Sequence, residues 1–109
     1  MDEQMVILHD LIRKDLQIDE EDSLIGEEEK PDLNFIHQRL TQLIRYLLDK
    51  DMHRLLHAMY RLDVSEAKFH EAMQSLDKDE AASSVADLVI EREMQKVKTR
   101  LHYKKHRKF

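Results

Sequence analysis

Three side chains that could hold a metal stand at helical spacing near the middle of the sequence: Asp49, His53 and His57, at i, i+4 and i+8. Two imidazoles one helical turn apart can chelate a divalent cation. Two features weigh against a site here. Asp49-Lys50-Asp51 reads as a helix break, which separates Asp49 from the histidines. No glutamate follows His53, as the H-E-x-x-H metalloprotease pattern requires. Both histidines lie beside the apolar face of their segment and are expected at its boundary or exposed, with no metal bound. His102 and His106 repeat the spacing inside a basic segment that repels cations. His9, His37 and His70 stand alone.

The chain has no cysteine, which excludes a disulfide, a thiolate nucleophile and a cysteine-ligated metal. It carries no glycine-rich phosphate loop and no serine-nucleophile motif, and no pair of buried carboxylates is expected. The residues therefore give an enzyme nothing to work with, and no catalytic residue, cofactor or metal is expected.

The functional signal that remains is charge. Residues 1–30 carry eleven acids and three bases, residues 31–91 eleven acids and seven bases, and residues 92–109 one acid and eight bases. The segments sum to −8, −4 and +7, which gives the net −5. The candidate contacts for a polyanion or a partner are the cations of the basic end: Lys96, Lys98, Arg100, Lys104, Lys105, Arg107 and Lys108. Such a run can remain solvated, neutralise the acidic end of the same chain, meet that end in a second copy, or bind nucleic acid by counterion release. The sequence HYKKHRKF interleaves aromatics with bases, as single-strand binders do, but it is short and the chain as a whole is acidic.

The elements that position these residues are read from apolar spacing. One glycine and one proline in 109 residues point to helices and away from a β fold. Asp2 to about Gln17 shows a broad helical face through Met5, Leu8, Ile12 and Leu16, with Asp2 as its cap. Residues 18–31 form an acidic loop with seven carboxylates and the glycine; their spacing does not match an EF-hand. Pro31 ends the loop, and Asp32 or Asn34 caps a helix to about Leu48 or Asp49 with a clean stripe from Leu33 through Leu48.

Asp51 caps a third helix with an apolar face of Met52, Leu55, Leu56, Met59 and Tyr60. Asp63-Val64-Ser65-Glu66 has capping-box spacing, which makes Asp63 the cap of a fourth helix that buries Phe69, Ala72, Met73 and Leu76. The last helix starts near Glu80 and runs past Arg100; its final third is expected to project from the body, with residues 102–109 frayed. The third and fourth helices have the outline of a helix-turn-helix, but Glu66 and Glu71 on the second of them would repel phosphates.

Two stretches, YRLDVSEAKF (Tyr60 to Phe69) and DLVIEREMQK (Asp87 to Lys96), resemble a group of small all-helical bacterial proteins of unassigned function. The resemblance covers about the second half of the chain. It implies a helical fold and a cytoplasmic setting, and it implies no catalytic residues.

These readings converge on one all-α domain over residues 1–109, a bundle of about five helices with a long basic last helix. Its expected core joins Leu40, Leu43, Ile44, Leu47, Leu56, Met59, Phe69 and Val89. No apolar run approaches the roughly 20 residues that span a bilayer, and the acidic start MDEQ is unlike a signal peptide. The expected role is a small cytoplasmic protein-interaction module, with a protein partner or a homodimer and no membrane. The alternative is an accessory nucleic-acid binder that uses the basic C-terminal tail.

Overall fold

The strongest stripe in the sequence becomes the central helix of the computed structural model, which describes residues 3–18 and 32–106, with side chains as far as Lys104. Among the described residues five helices follow in order: α1 Glu3–Asp15, α2 Leu33–Lys50, α3 Met52–Leu62, α4 Glu66–Ala72 and α5 Lys78–His106. The fold is an all-α bundle, as expected, and among the described residues there is no strand. The expectations for Asp2 and for the acidic loop across residues 19–31 lie outside the described residues.

α2 lies mainly along α5, and α1 covers the C-terminal part of α5. Ile36, Leu40, Ile44 and Leu47 of α2 meet Ala82, Val85, Ala86 and Val89 of α5 in the core. Small residues on α5 let the two backbones approach, while the branched and long side chains of α2 fill the gaps. Leu8, Leu11, Ile12 and Leu16 extend this core beside Ile90 and Val97.

In the described turns the chain reverses by local hydrogen bonding. Asp51 ends α2 by donating its amide to the Leu47 carbonyl at 2.9 Å and starts α3 by accepting the Arg54 amide at 3.1 Å. α1 and α3 both end in Schellman geometry. The Ile18 amide reaches the Arg13 carbonyl at 2.9 Å, and the Val64 amide reaches the Met59 carbonyl at 3.1 Å. The residues held at positive φ in these turns are Gln17 and Asp63, at 54° and 59°.

Each of these helix ends also receives an arginine from a neighbouring helix. Arg54 Nη2 donates to the carbonyls of Leu16 and Gln17 at 3.1 and 3.0 Å, and Arg92 Nε donates to the Leu62 carbonyl at 2.9 Å. A guanidinium suits a helix C-terminus, where unpaired carbonyls concentrate negative potential.

Four expectations are corrected. Asp63 does not cap α4: it is the left-handed residue that ends α3, and Ser65 Oγ accepts the Lys68 amide at 3.3 Å. Leu76 is fully exposed in the turn before α5, because α4 stops at Ala72. Leu56 and Tyr60 face outward, because α3 buries Leu55 and Met59 of the expected face together with Ala58 and Leu62. The last third of α5 does not project as far as it is described. Val97 is buried, Leu101 packs on the core, and Lys104 pairs with Glu3 at the start of α1.

Candidate functional site

α5 carries a glutamate on its buried stripe. Ala82, Ala86, Val89, Glu93 and Val97 recur at helical spacing, and Glu93 is 0% exposed. Opposite it stands Asp15, in the last turn of α1. Lys96 Nζ joins the two: it is 3.0 Å from Asp15 Oδ2 and 3.7 Å from Glu93 Oε1.

Burial, and then the nearby Asp15 carboxylate, push the Glu93 carboxyl up to about 8; Lys96 opposes the shift. An ionised Glu93 finds no hydrogen-bond donor for either oxygen. The single ammonium of Lys96 therefore faces two carboxyls, Asp15 at 3.0 Å and Glu93 at 3.7 Å. This contact of a buried glutamate with a half-buried aspartate was not expected from the sequence. Its signal was present in the sequence as an acid one turn from both Val89 and Val97.

The candidate cations of the basic end divide into two sets. Lys96 is half-buried in the acid pair, and Lys104 is tied to Glu3. Lys98 and Arg100 are exposed and make no ion pair with a described residue. Lys105, Arg107 and Lys108 lie outside the described side chains.

Between α1 and α5 the surface is concave. A cleft of about 560 Å³ is lined by Lys14 and Asp15 of α1 and by Arg92, Lys96, Thr99, Arg100 and Tyr103 of α5, with Leu11 at its base. The α5 residues share a face because they recur at three- and four-residue intervals.

A second groove, of about 630 Å³, lies at the corner of α3 and α4. Leu56 and Tyr60 stand on it at 45% and 86% exposure, beside the half-buried Phe69 and Val64. Its charged residues are two acids, Asp63 and Glu66.

His53 and His57 are exposed, with ring centroids 4.2 Å apart. Asp49 is committed elsewhere, to Lys78 at 3.0 Å and to Arg45, which also donates to Asp79 at 2.8 Å. Those cations hold the Asp49 carboxyl below its usual range, Lys78 foremost. Among the described residues no three histidine or acidic side chains converge as a metal would need. Comparison with known protein families, curated proteins and solved structures finds no match to this chain.

Proposed function

We propose that this chain is a small cytoplasmic protein-interaction module that associates with a second copy of itself through the α3–α4 face. The observation that carries this reading is the joint exposure of Leu56 and Tyr60 beside Phe69 in a helix whose other side is fully buried. Apolar side chains grouped around a groove mark contact surfaces more often than single exposed ones do. Among the described residues no helix is long and apolar enough to cross a membrane, so a bilayer-spanning segment does not account for that surface.

A second copy fits by symmetry and by charge. The exposed face of α3 runs through His53, Leu56, His57 and Tyr60, with Lys50 before it and Asp63 after it. A two-fold axis between Leu56 and His57 makes the face self-complementary. It sets Tyr60 against the partner's His53 and Lys50 against the partner's Asp63.

Light scattering from 10 µM to 1 mM in about 0.15 M salt tests this, since screening at that salt removes long-range charge effects. The expected result is a mass that rises toward twice the monomer. A Leu56→Ser, Tyr60→Ser variant is expected to remain monomeric with its helical content intact. A mass constant at the monomer value, or a variant that associates like the parent, overturns the proposal.

The exposure of Lys98 and Arg100 favours a second reading, an accessory nucleic-acid binder. Phosphate contacts release counterions and make binding fall steeply with salt. The engagement of Lys96 and Lys104 with acids of α1 reduces the cations free for that role and places this reading second. No tight binding of a mixed-sequence oligonucleotide is expected at about 0.15 M salt.

A further inference from the structure

The cleft between α1 and α5 shares no residue with the α3–α4 groove. Four cations line it, Lys14, Arg92, Lys96 and Arg100, against one carboxylate, Asp15. They are not equivalent. Arg92 is oriented by its bonds to the Leu62 carbonyl and to Gln95 Oε1, at 2.9 and 3.0 Å. Lys96 is held by Asp15. Lys14 and Arg100 are exposed and form no ion pair with a described acid. Two anchored cations and two free ones therefore converge on one concavity from two helices.

Asp15 offsets one of these charges, and an added anion would offset the others. Like charges one turn apart on a helix repel, and Arg92, Lys96 and Arg100 are spaced in that way. Guanidinium groups also present paired N–H donors that match phosphate oxygens. At the end of the same face stands Tyr103, 71% exposed. Its ring lies seven residues from Lys96, or about 10 Å along the helix. An exposed aromatic ring beside a cationic surface is a stacking platform for a nucleobase.

We infer that the α1–α5 cleft binds a nucleotide, with its phosphates among Lys14, Arg92, Lys96 and Arg100 and its base on Tyr103. The dimensions favour a mononucleotide over a nucleic-acid strand. The cleft has the volume of a small-ligand site. The α5 cations that line the cleft run from Arg92 to Arg100, about 12 Å along the helix, and Lys104 one turn further on is held by Glu3. Acids stand at its borders, with Glu91 and Asp10 exposed and Glu3 engaged by Lys104. A long phosphate backbone would meet those carboxylates, whereas two or three linked phosphates would not.

Titration calorimetry of the full chain at about 0.05 M salt tests the inference with four probes: inorganic pyrophosphate, adenosine, ATP and a 20-nucleotide mixed-sequence single strand. ATP is expected to bind more tightly than pyrophosphate, and adenosine not measurably. A Lys14→Glu, Arg100→Glu variant, altered only at exposed positions, is expected to lose at least tenfold in affinity for both phosphate probes while keeping its helical content. Tyr103→Ala is expected to weaken ATP severalfold and to leave pyrophosphate unchanged. The inference is overturned if neither phosphate probe binds at millimolar concentration, or if the charge-reversed variant binds them like the parent. It is also overturned if Tyr103→Ala weakens both probes alike, or if only the oligonucleotide binds.

Discussion

Lys96 of α5 places one ammonium between two carboxyls, 3.0 Å from Asp15 on α1 and 3.7 Å from the buried Glu93 on its own helix. One cation cannot neutralise two anions in a desolvated site, so the site keeps a proton on Glu93. The α1–α5 contact is therefore linked to pH.

The sign of that linkage follows from the proton count. Glu93 loses its proton near 4.5 in the unfolded chain and at about 8 in the folded one. Below the first value both states hold the proton, and the contribution is complete. Between the two values only the folded state holds it, so stability falls as pH rises. Above about 8 both states have lost it. With about 1.4 kcal/mol for each unit of difference, the full effect is of order a few kcal/mol. Glu93→Gln keeps the shape and cannot ionise. Urea unfolding at pH 5, 7 and 9 is expected to show the variant gaining on the parent as pH rises. Parallel pH profiles for the two proteins would refute the assignment.

Adjacent leucines in α3 provide a second test. Leu55 is fully buried and Leu56 is 45% exposed. Leu55→Ala is expected to cost roughly 2–5 kcal/mol, the range for cavity formation in a core. Leu56→Ala is expected to cost less than about 1 kcal/mol, as surface changes do. Thermal melts at low concentration, where self-association is absent, make the comparison. Equal losses would mean that Leu56 lies in the core after all.

This pair also shows where the sequence is legible. The stripe of α2 is narrow and uninterrupted, so one face is buried whichever neighbour is chosen, and Ile36, Leu40, Ile44 and Leu47 take the core. In α3 the apolar residues cover more than half the circumference. Met52, Leu56, Met59 and Tyr60 make one helical face, and Leu55, Ala58, Met59 and Leu62 make another. Periodicity cannot choose between them; contact with α2, α5 and α1 does. The long α5 was legible because no breaker follows Asp79. Its packing along α1 was hidden, since the pairs Lys96–Asp15 and Lys104–Glu3 that flank the shared apolar contact join residues separated by most of the chain. Glu93 was passed over because an acid is read as solvent-facing even where its position falls on an apolar stripe.

The turn between α3 and α4 separates two roles that spacing alone confuses. Asp63 sits at φ 59°, and Ser65 accepts the Lys68 amide in the first turn of α4. Ser65→Ala is expected to lower stability by roughly 0.5–2 kcal/mol through loss of the cap. Asp63→Gly is expected to be neutral or mildly stabilising. Glycine enters the left-handed region without steric cost, and that gain offsets its greater freedom in the unfolded chain. If Asp63→Gly proved the more damaging change, the Asp63 side chain rather than Ser65 would be the cap.

Arg54 is the one described side chain that ties α3 to the closing turn of α1, through the carbonyls of Leu16 and Gln17. Those carbonyls follow the Schellman turn and have no partner within α1 itself. Arg54→Met retains the apolar stem and removes both charged donors, so the change reports on the hydrogen bonds rather than on packing. Loss of the donor to the part-buried Leu16 carbonyl and the exposed Gln17 carbonyl is expected to cost about 1–3 kcal/mol. The loss should also be local. Among the described elements α1 packs chiefly on α5 and less on α3. Amide exchange in the last turn of α1 and at Ile18 is therefore expected to accelerate before exchange in α2 does. Uniform acceleration across all helices would show that Arg54 supports the whole core, and unchanged exchange at Ile18 would show that the contact does not hold the turn.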